Sequence, residues 1–453
     1  MKHLLAATLL AFSPALHAAD PAPVKPNILY LLADDLGYGE LGFQGCQDVP
    51  TPNLDSIAKN GVRFTNGYVS APVCSPSRAG LLTGHYQTRF GHEFNHPMAD
   101  RAPVGLPVDQ KTTANWFKDA GYATAHIGKW HIGNPNQPEF SPNGRGFDLD
   151  VSFAGQNKLP PLLSWRNRQR EMADDPYVDL AMGREAATYI EKNKSTPWYL
   201  YVAYLTPHSP LDIPPGSDKP FEAISDVKRR KSAAMISLLD ESVGRILKAL
   251  RESGQEERTL IIFHSDNGAP MNSGSINTPL SGYKSTVREG GIREPFAMQW
   301  KGILPAGRVV DAPIISLDML PTALAAANIS VPADAKLDGV NLLPYLTGKA
   351  EAPQRSLFWR YGEQYAIRQG DWKLVRTMEQ ISKPPVYTTG LYNLASDSAE
   401  KHDLSAEHPD KVKALQELWD EWNAKNVKAL WGGGNEDDVS KDSLNKPEKQ
   451  KSE

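Results

Sequence analysis

Two stretches of this chain place reactive side chains where chemistry could use them. Residues 73–84 read Val73-Cys74-Ser75-Pro76-Ser77-Arg78-Ala79-Gly80-Leu81-Leu82-Thr83-Gly84, a turn-forming segment that runs into a helical one. A thiol at the amino end of that helix would lie in a positive field that favours anions and lowers its pKa. Arg78, one helical turn on, can clamp an oxyanion through two parallel hydrogen bonds. The pair reads as a nucleophile beside an anion site. Two alternatives stay open on these residues: a Cys46–Cys74 disulfide, or a buried inert thiol. The second stretch is a pair of acidic strand ends. Asp34-Asp35 follows the apolar run 27–33 (NILYLLA), and Asp266-Asn267-Gly268 follows the run 259–264 (TLIIFH). Adjacent carboxylates repel unless a cation or donors compensate them, and an all-oxygen set suits Ca²⁺ or Mg²⁺ rather than zinc or copper. Aspartate also caps turns, so either pair alone is ambiguous; both pairs, each after a buried strand, favour the metal.

The elements that must position these groups follow from periodicity. The runs 27–33, 122–127, 198–205, 259–264 and 296–300 are apolar enough for strands buried on both faces. Between them lie helical patterns over 113–120, stopped by Gly121, and over 232–252. The second carries Ile236, Leu239, Val243, Ile246, Leu247 and Leu250 on one stripe, with Gly254 past its end. Strand–helix alternation predicts an α/β fold, a mostly parallel sheet sandwiched by helices, whose strand ends form the ligand-binding rim. From residue 349 the pattern changes to antiparallel hairpins over 356–360, 365–368 and 372–376, closed by a helix over 410–425. The expected organisation is a signal peptide (1–19), a catalytic domain (25–348), a smaller antiparallel-sheet α+β subdomain (349–431) and a polar mobile tail (432–453).

Composition narrows the classes. The 453 residues carry 49 basic and 53 acidic groups, a net charge of −4, which argues against a broad nucleic-acid binder. Two cysteines exclude a disulfide scaffold and any zinc site built on a CxxC pair. Met1-Lys2-His3, a short apolar run and small residues at Ala18 and Ala19 predict export to the periplasm or the medium.

Cys74-Ser75-Pro76-Ser77-Arg78 followed by Leu82-Thr83-Gly84 resembles the signature of the type I sulfatases, of the alkaline phosphatase superfamily. Further segments match in family order: 27–35, Pro52-Asn53-Leu54-Asp55, Gly128-Lys129-Trp130-His131, Thr206-Pro207-His208, Asp266-Asn267-Gly268, and Lys284 with Gly290-Gly291-Ile292-Arg293-Glu294-Pro295. The look is closest to galactosamine-6-sulfatase-like and carrageenan-desulfating members. The resemblance implies that Cys74 is oxidised to Cα-formylglycine by a maturation enzyme before folding. Asp34, Asp35, Asp266 and Asn267 are then implied as Ca²⁺ ligands, with the modified Cys74 reaching the same ion. A hydrated formylglycine offers two hydroxyls on one carbon, one to attack sulfur and one to drive sulfate release. Arg78, Lys129 and Lys284 are implied to surround the sulfate, His208 to protonate the leaving oxygen, and His131 to assist release. Asp266 could double as a weak base. Cys46 is left as an unpaired thiol, expected to be buried and dispensable. Within 85–96 (HYQTRFGHEFNH), His92, Glu93 and Asn95 are candidate sugar contacts. The function expected is removal of sulfate from an extracellular sulfated carbohydrate, a galactan or a glycosaminoglycan. The alternatives are a phosphate or phosphonate monoester hydrolase on the same fold, or a non-catalytic receptor for sulfated glycan.

Overall fold

The computed structural model describes residues 25–97, 104–153, 158–380 and 385–432. The expected signal peptide lies outside them, as does the tail beyond Gly432. In chain order the first strands are β1 (Asn27–Asp34), β2 (Val62–Phe64), β3 (Gly67–Tyr68), β4 (Ala123–Gly128), β5 (Leu149–Phe153), β6 (Leu162–Arg166), β7 (Gln169–Ala173) and β8 (Trp198–Pro207). They are followed by β9 (Thr259–Ser265), β10 (Phe296–Gln299), β11 (Arg308–Val310) and β12 (Ile314–Ile315). Ten of them form one sheet in the order β11-β2-β10-β9-β1-β8-β4-β5-β6-β7. The centre, β9-β1-β8-β4-β5, is parallel throughout; β10 and β6 run against their neighbours. The fold is α/β, as the alternation predicts, with β10 antiparallel where the apolar run alone could not give direction. Strands β5–β7 extend the sheet past the expected runs. Each contains partly exposed positions, so none carries the continuous apolar signal of β1, β8 and β9.

Alternate residues of each central strand enter two different cores, as the two-residue period of a strand requires. Leu29, Leu31, Leu200, Val202, Ile261 and Phe263 face one side. There they meet helices α1 (Pro52–Lys59), α4 (Val178–Lys192) and α5 (Val227–Glu252). Ile28, Tyr30, Leu32, Tyr199, Tyr201, Leu260 and Ile262 face the other, under α2 (Cys74–Thr83) and α3 (Thr113–Asp119). The apolar stripe of α5 is buried from Ile236 to Leu250. The helix starts five residues before the predicted position because Asp226 accepts the Arg229 N–H at 2.8 Å as its N-cap.

The chain then enters β13 (Ser356–Tyr361), β14 (Gln364–Gln369), β15 (Trp372–Gln380) and β16 (Val386–Asn393), an antiparallel sheet in sequence order. The helix Pro409–Asn423 packs on it through Leu415, Trp419 and Trp422. A buried ion network fastens this sheet to α6 (Glu289–Ile292), just after Lys284. Lys373 Nζ lies 2.8 Å from Glu289 Oε1 and 3.0 Å from Glu400 Oε1, all three side chains fully buried. Removing the cation deprives buried Glu400 of its ion pair and leaves Glu289 to Arg293, 3.3 Å away. Lys373→Met is therefore expected to cost about 3–5 kcal/mol of stability, read as a lower midpoint in denaturant. An unchanged midpoint would show that the network contributes nothing.

Candidate active site

The rim at the carboxyl ends of the parallel strands gathers the chemistry. Asp34 ends β1 and Asp35 follows it in a left-handed conformation (φ 64°), one that aspartate tolerates better than most residues. Two extra residues bulge into β8 between the partners of Leu32 and Asp34, so that Pro207 pairs with Asp34. That bulge re-aims the strand end and brings His208 over the acids; its Nε2 lies 3.6 Å from Asp35 Oδ2. Gly128 ends β4 with φ 112°, where a Cβ would fall 2.0 Å from the Ala203 carbonyl oxygen. Only glycine permits that close approach, which sends Lys129 across to Asp34, with Nζ 2.7 Å from Oδ2.

Helix α2 points its amino end at this cluster. It is buried along its whole length, so its packing shows no polar face. Val73 caps it without a side chain, and Asn95 Oδ1 accepts the Ser75 N–H at 2.9 Å. Cys74 Sγ lies 3.4 Å from Asp34 Oδ1 and 3.4 Å from Lys284 Nζ. Lys284 also stands 3.0 Å from Asp35 Oδ1. Arg78 donates from Nε to Asp266 Oδ2 at 2.8 Å and from Nη1 to the Lys129 carbonyl oxygen at 2.9 Å. Its Nη2 lies 2.7 Å from the same Asp266 oxygen, but at an angle that gives no directed hydrogen bond. Arg78→Lys would lose this planar, two-sided grip; a fall of about 10²–10³-fold in kcat/KM is expected, and near wild-type turnover would refute the role.

Electrostatics corrects one expectation and supports another. The Cys74 thiol is not activated: burial, then the Asp266 charge, push its pKa well above the usual value against the pull of Lys129 and Lys284. Desolvation and carboxylates outweigh the helix field that the sequence suggested. No disulfide joins it to Cys46. For Asp34, burial works upward, but Lys129, His208, Arg78 and Lys284 together hold the carboxyl well below its usual range. Asp266 moves the other way, raised by burial and by Asp34 despite its bond to Arg78. Three carboxylates in one dry pocket thus repel each other even with three cations at hand. Asn267 donates from Nδ2 to Asp35 Oδ1 at 2.7 Å, while its buried Oδ1 has no partner. An orphaned carbonyl oxygen beside crowded carboxylates is the donor set a hard divalent cation takes. The residues therefore fit a cation held by Asp34, Asp35, Asp266 and Asn267. Cys74 Sγ and a His208 nitrogen lie within 4.8 Å of the Asp34 and Asp35 oxygens. As a protonated thiol, Cys74 is a poor ligand for any ion.

Burial, then Lys129 and His96, lower the His131 pKa well below its usual value, which keeps the ring neutral. The backbone of His131 is left-handed (φ 57°), and its buried Nδ1 has no partner. The three candidate sugar contacts separate. Glu93 lines a cavity of about 890 Å³, although its carboxylate is committed to Arg360 (2.7 Å) and to the Gly362 N–H (2.9 Å). His92 is wholly buried behind α2, 2.6 Å from Ser75 Oγ, and Asn95 holds the α2 amino end. These two support the amino end of α2 rather than line the cavity. Asp35, His208 and Lys284 line the cavity together with Tyr361, Gln364, Tyr387 and Lys428 of the C-terminal part. Those wall residues, and His96, whose ring lies 5.2 Å from that of His131, are not among the residues that stand out in the sequence. His96 sits at the end of the 85–96 segment, so position could have found it; the wall residues carry no local signal. Cys46 is half-buried, not buried as expected, and donates to Asp48 Oδ1 at 3.1 Å.

The chain is similar to known proteins along most of its length. A model of the Sulfatase family matches residues 26–329, and one of the N-sulphoglucosamine sulphohydrolase C-terminal region matches residues 283–428. The chain is 34% identical to N-acetylgalactosamine-6-sulfatase of Canis lupus familiaris over 90% of its length and 87% of the relative's. Among solved structures it resembles Ps i-CgsB in complex with k-i-k-neocarrahexaose, with a TM-score of 0.84, 32% identity, and 94% and 98% of the two chains covered. It also resembles the PsFucS1 sulfatase from Pseudoalteromonas sp., with a TM-score of 0.77, 25% identity, and 89% and 90% covered.

Proposed function

We propose, from the premise that this chain belongs to the sulfatase family and is a sulfuric ester hydrolase acting on sulfated carbohydrate, that it desulfates a galactan such as carrageenan, or a glycosaminoglycan, through a formylglycine derived from Cys74. The observation that carries the reading is the place of Cys74 Sγ, between a carboxylate of the acidic cluster and Lys284 at 3.4 Å each. Likeness to a galactosamine-6-sulfatase and to a carrageenan-bound structure supports the substrate class.

Formylglycine at position 74 would supply, as its hydrate, a nucleophile that no coded side chain offers. A Ca²⁺ ion held by Asp34, Asp35, Asp266 and Asn267 would supply Lewis-acid charge beside it. The chain's own residues do the rest. Arg78, Lys129 and Lys284 bring three positive charges to the sulfate, whose negative charge spreads over its outer oxygens as the bond to sulfur breaks. His208, at the edge of the cavity, gives its proton to the departing sugar oxygen. His131, neutral by burial, can take a proton at its unpartnered Nδ1. Export to the periplasm or the medium, and maturation of Cys74 by a formylglycine-generating enzyme, complete the proposal.

The test joins two measurements on one preparation: the mass of the peptide bearing Cys74, and sulfate release from defined sulfated oligosaccharides. The expected result is an aldehyde at position 74 in every active preparation, with turnover on galactan or glycosaminoglycan fragments. Nitrophenyl sulfate should also be turned over much faster than nitrophenyl phosphate. Full activity with an unmodified thiol would end the mechanism, and preference for the phosphate would favour the monoester-hydrolase alternative.

A further inference from the structure

One charged layer behind the site takes no part in the chemistry above. Lys158 is fully buried, and its Nζ donates to the Pro210 carbonyl oxygen at 3.0 Å. Pro210 lies two residues beyond His208, whose own Nδ1 is 2.6 Å from the Ser209 carbonyl oxygen. The backbone at Lys158 is itself fixed, because its carbonyl accepts the Val178 N–H at 3.0 Å where α4 begins. Tyr177 adds a contact from its hydroxyl to Thr206 Oγ1 at 3.1 Å. Tyr177, Leu180 and Met235, with Leu159, Leu211 and Ile213 against them, make a small apolar cluster under the same turn. The turn that carries His208 therefore rests on a shelf, and Lys158 ties it there.

A lysine is a costly choice for such a place. Burial works against its charge, partly offset by Asp179, Asp34 and Asp212. Asp179 is buried with it, pushed up to about 7 by desolvation, and faces the Thr206 hydroxyl without hydrogen-bond geometry. Apolar residues of similar volume often stabilise a fold as well as a buried charge pair does or better, so stability alone gives this site no need for an ammonium. The Pro210 carbonyl gives it one: an acceptor on an otherwise exposed turn, two residues from the histidine whose orientation must hold.

We propose that Lys158 is a positioning residue for His208, holding the Pro210 carbonyl so that the imidazole stays aimed at the leaving oxygen beside Asp35. The proposal rests on the reading of His208 as the proton donor. A positioning defect should then appear only where the leaving group needs that proton. The experiment uses the matured full-length enzyme, its Lys158→Met, Lys158→Gln and His208→Ala variants, and aryl sulfates graded by the acidity of their phenols. Lys158→Met should lower kcat about 10–100-fold for the least acidic phenols and less than about threefold for nitrophenyl sulfate, with KM within about threefold. Lys158→Gln, too short to reach the carbonyl, should steepen the dependence in the same way. A uniform fall across the series, or none, would overturn the proposal, as would failure of both variants to fold, since Lys158 would then be a structural residue. If His208→Ala keeps the wild-type dependence, the reading of His208 fails instead.

Discussion

Replacing Cys74 by alanine is expected to lower sulfate release by about 10⁴-fold or more, while Cys46→Ser leaves it within about twofold. The two cysteines differ in everything but residue type. Cys74 begins a buried helix, within 3.4 Å of an acid and a lysine, and its thiol is held protonated by burial and neighbouring carboxylates. As a thiol it is poorly placed to attack anything. Lys284 and Asp34, each 3.4 Å from Sγ, would instead suit the hydroxyls of the proposed hydrate, the ammonium facing a developing oxyanion and the carboxylate accepting a hydroxyl hydrogen bond. Alanine removes the reacting atom and leaves the cationic clamp, so binding survives while chemistry stops. Cys46 is half-buried on the far side of Asp48, its thiol pushed up to about 11 by burial and by its bond to Asp48. Serine can keep that bond. Nitrophenyl sulfate turnover, with melting temperature as the folding control, measures both variants; a Cys74→Ala enzyme with a tenth of wild-type activity would refute the assignment.

The contrast shows which parts of the molecule local sequence could reveal. Four of the five central parallel strands, β1, β4, β8 and β9, were legible because burial on both faces leaves continuous apolar runs, whereas β5 was not; the acids ending β1 and β9 could be placed on one rim by topology alone. Lys129 and His208 were legible through their position after such runs. What escaped depended on distant partners. The bulge in β8 that carries His208 over Asp35 exists only in the pairing of β8 with β1. The thiol's upward shift, opposite to the helix-field argument, depends on how many carboxylates the fold packs around it. His92 sits in a segment rich in polar and aromatic types, which reads as a binding loop, yet its ring is spent on Ser75. The cavity wall of Tyr361, Gln364, Tyr387 and Lys428 comes from hairpins far along the chain, with nothing in their own pattern to mark a binding surface. Lys158 escaped for the same reason, since its partner is a backbone carbonyl.

Stripping divalent cations from the matured enzyme should abolish turnover and lower its melting temperature by several degrees, with Ca²⁺ restoring both better than Mg²⁺. The cause lies in the charge inventory of the rim. Asp34, Asp35 and Asp266 are all buried, and Asp266 is raised by burial and by Asp34 even with Arg78 beside it. The three basic side chains therefore leave repulsion that a divalent ion would relieve. A ligand that binds only the folded state stabilises it by RT ln(1 + [L]/Kd), about 2.7 kcal/mol at a hundredfold excess over Kd. The stability gain is thus visible without any activity measurement. Ca²⁺ is favoured because it accepts more oxygens at looser geometry than Mg²⁺, which suits ligands drawn from two strand ends and constrained by their own hydrogen bonds. Asn267→Ala removes a buried oxygen that has no hydrogen-bond partner among the described residues. It should weaken Ca²⁺ binding about 10–100-fold in a thermal-shift titration, while Cys46→Ser binds as the wild type does. A chelated enzyme with unchanged melting temperature, or an Asn267→Ala variant with unchanged Ca²⁺ affinity, would remove the cation from this rim and leave Arg78, Lys129 and Lys284 to carry the sulfate alone.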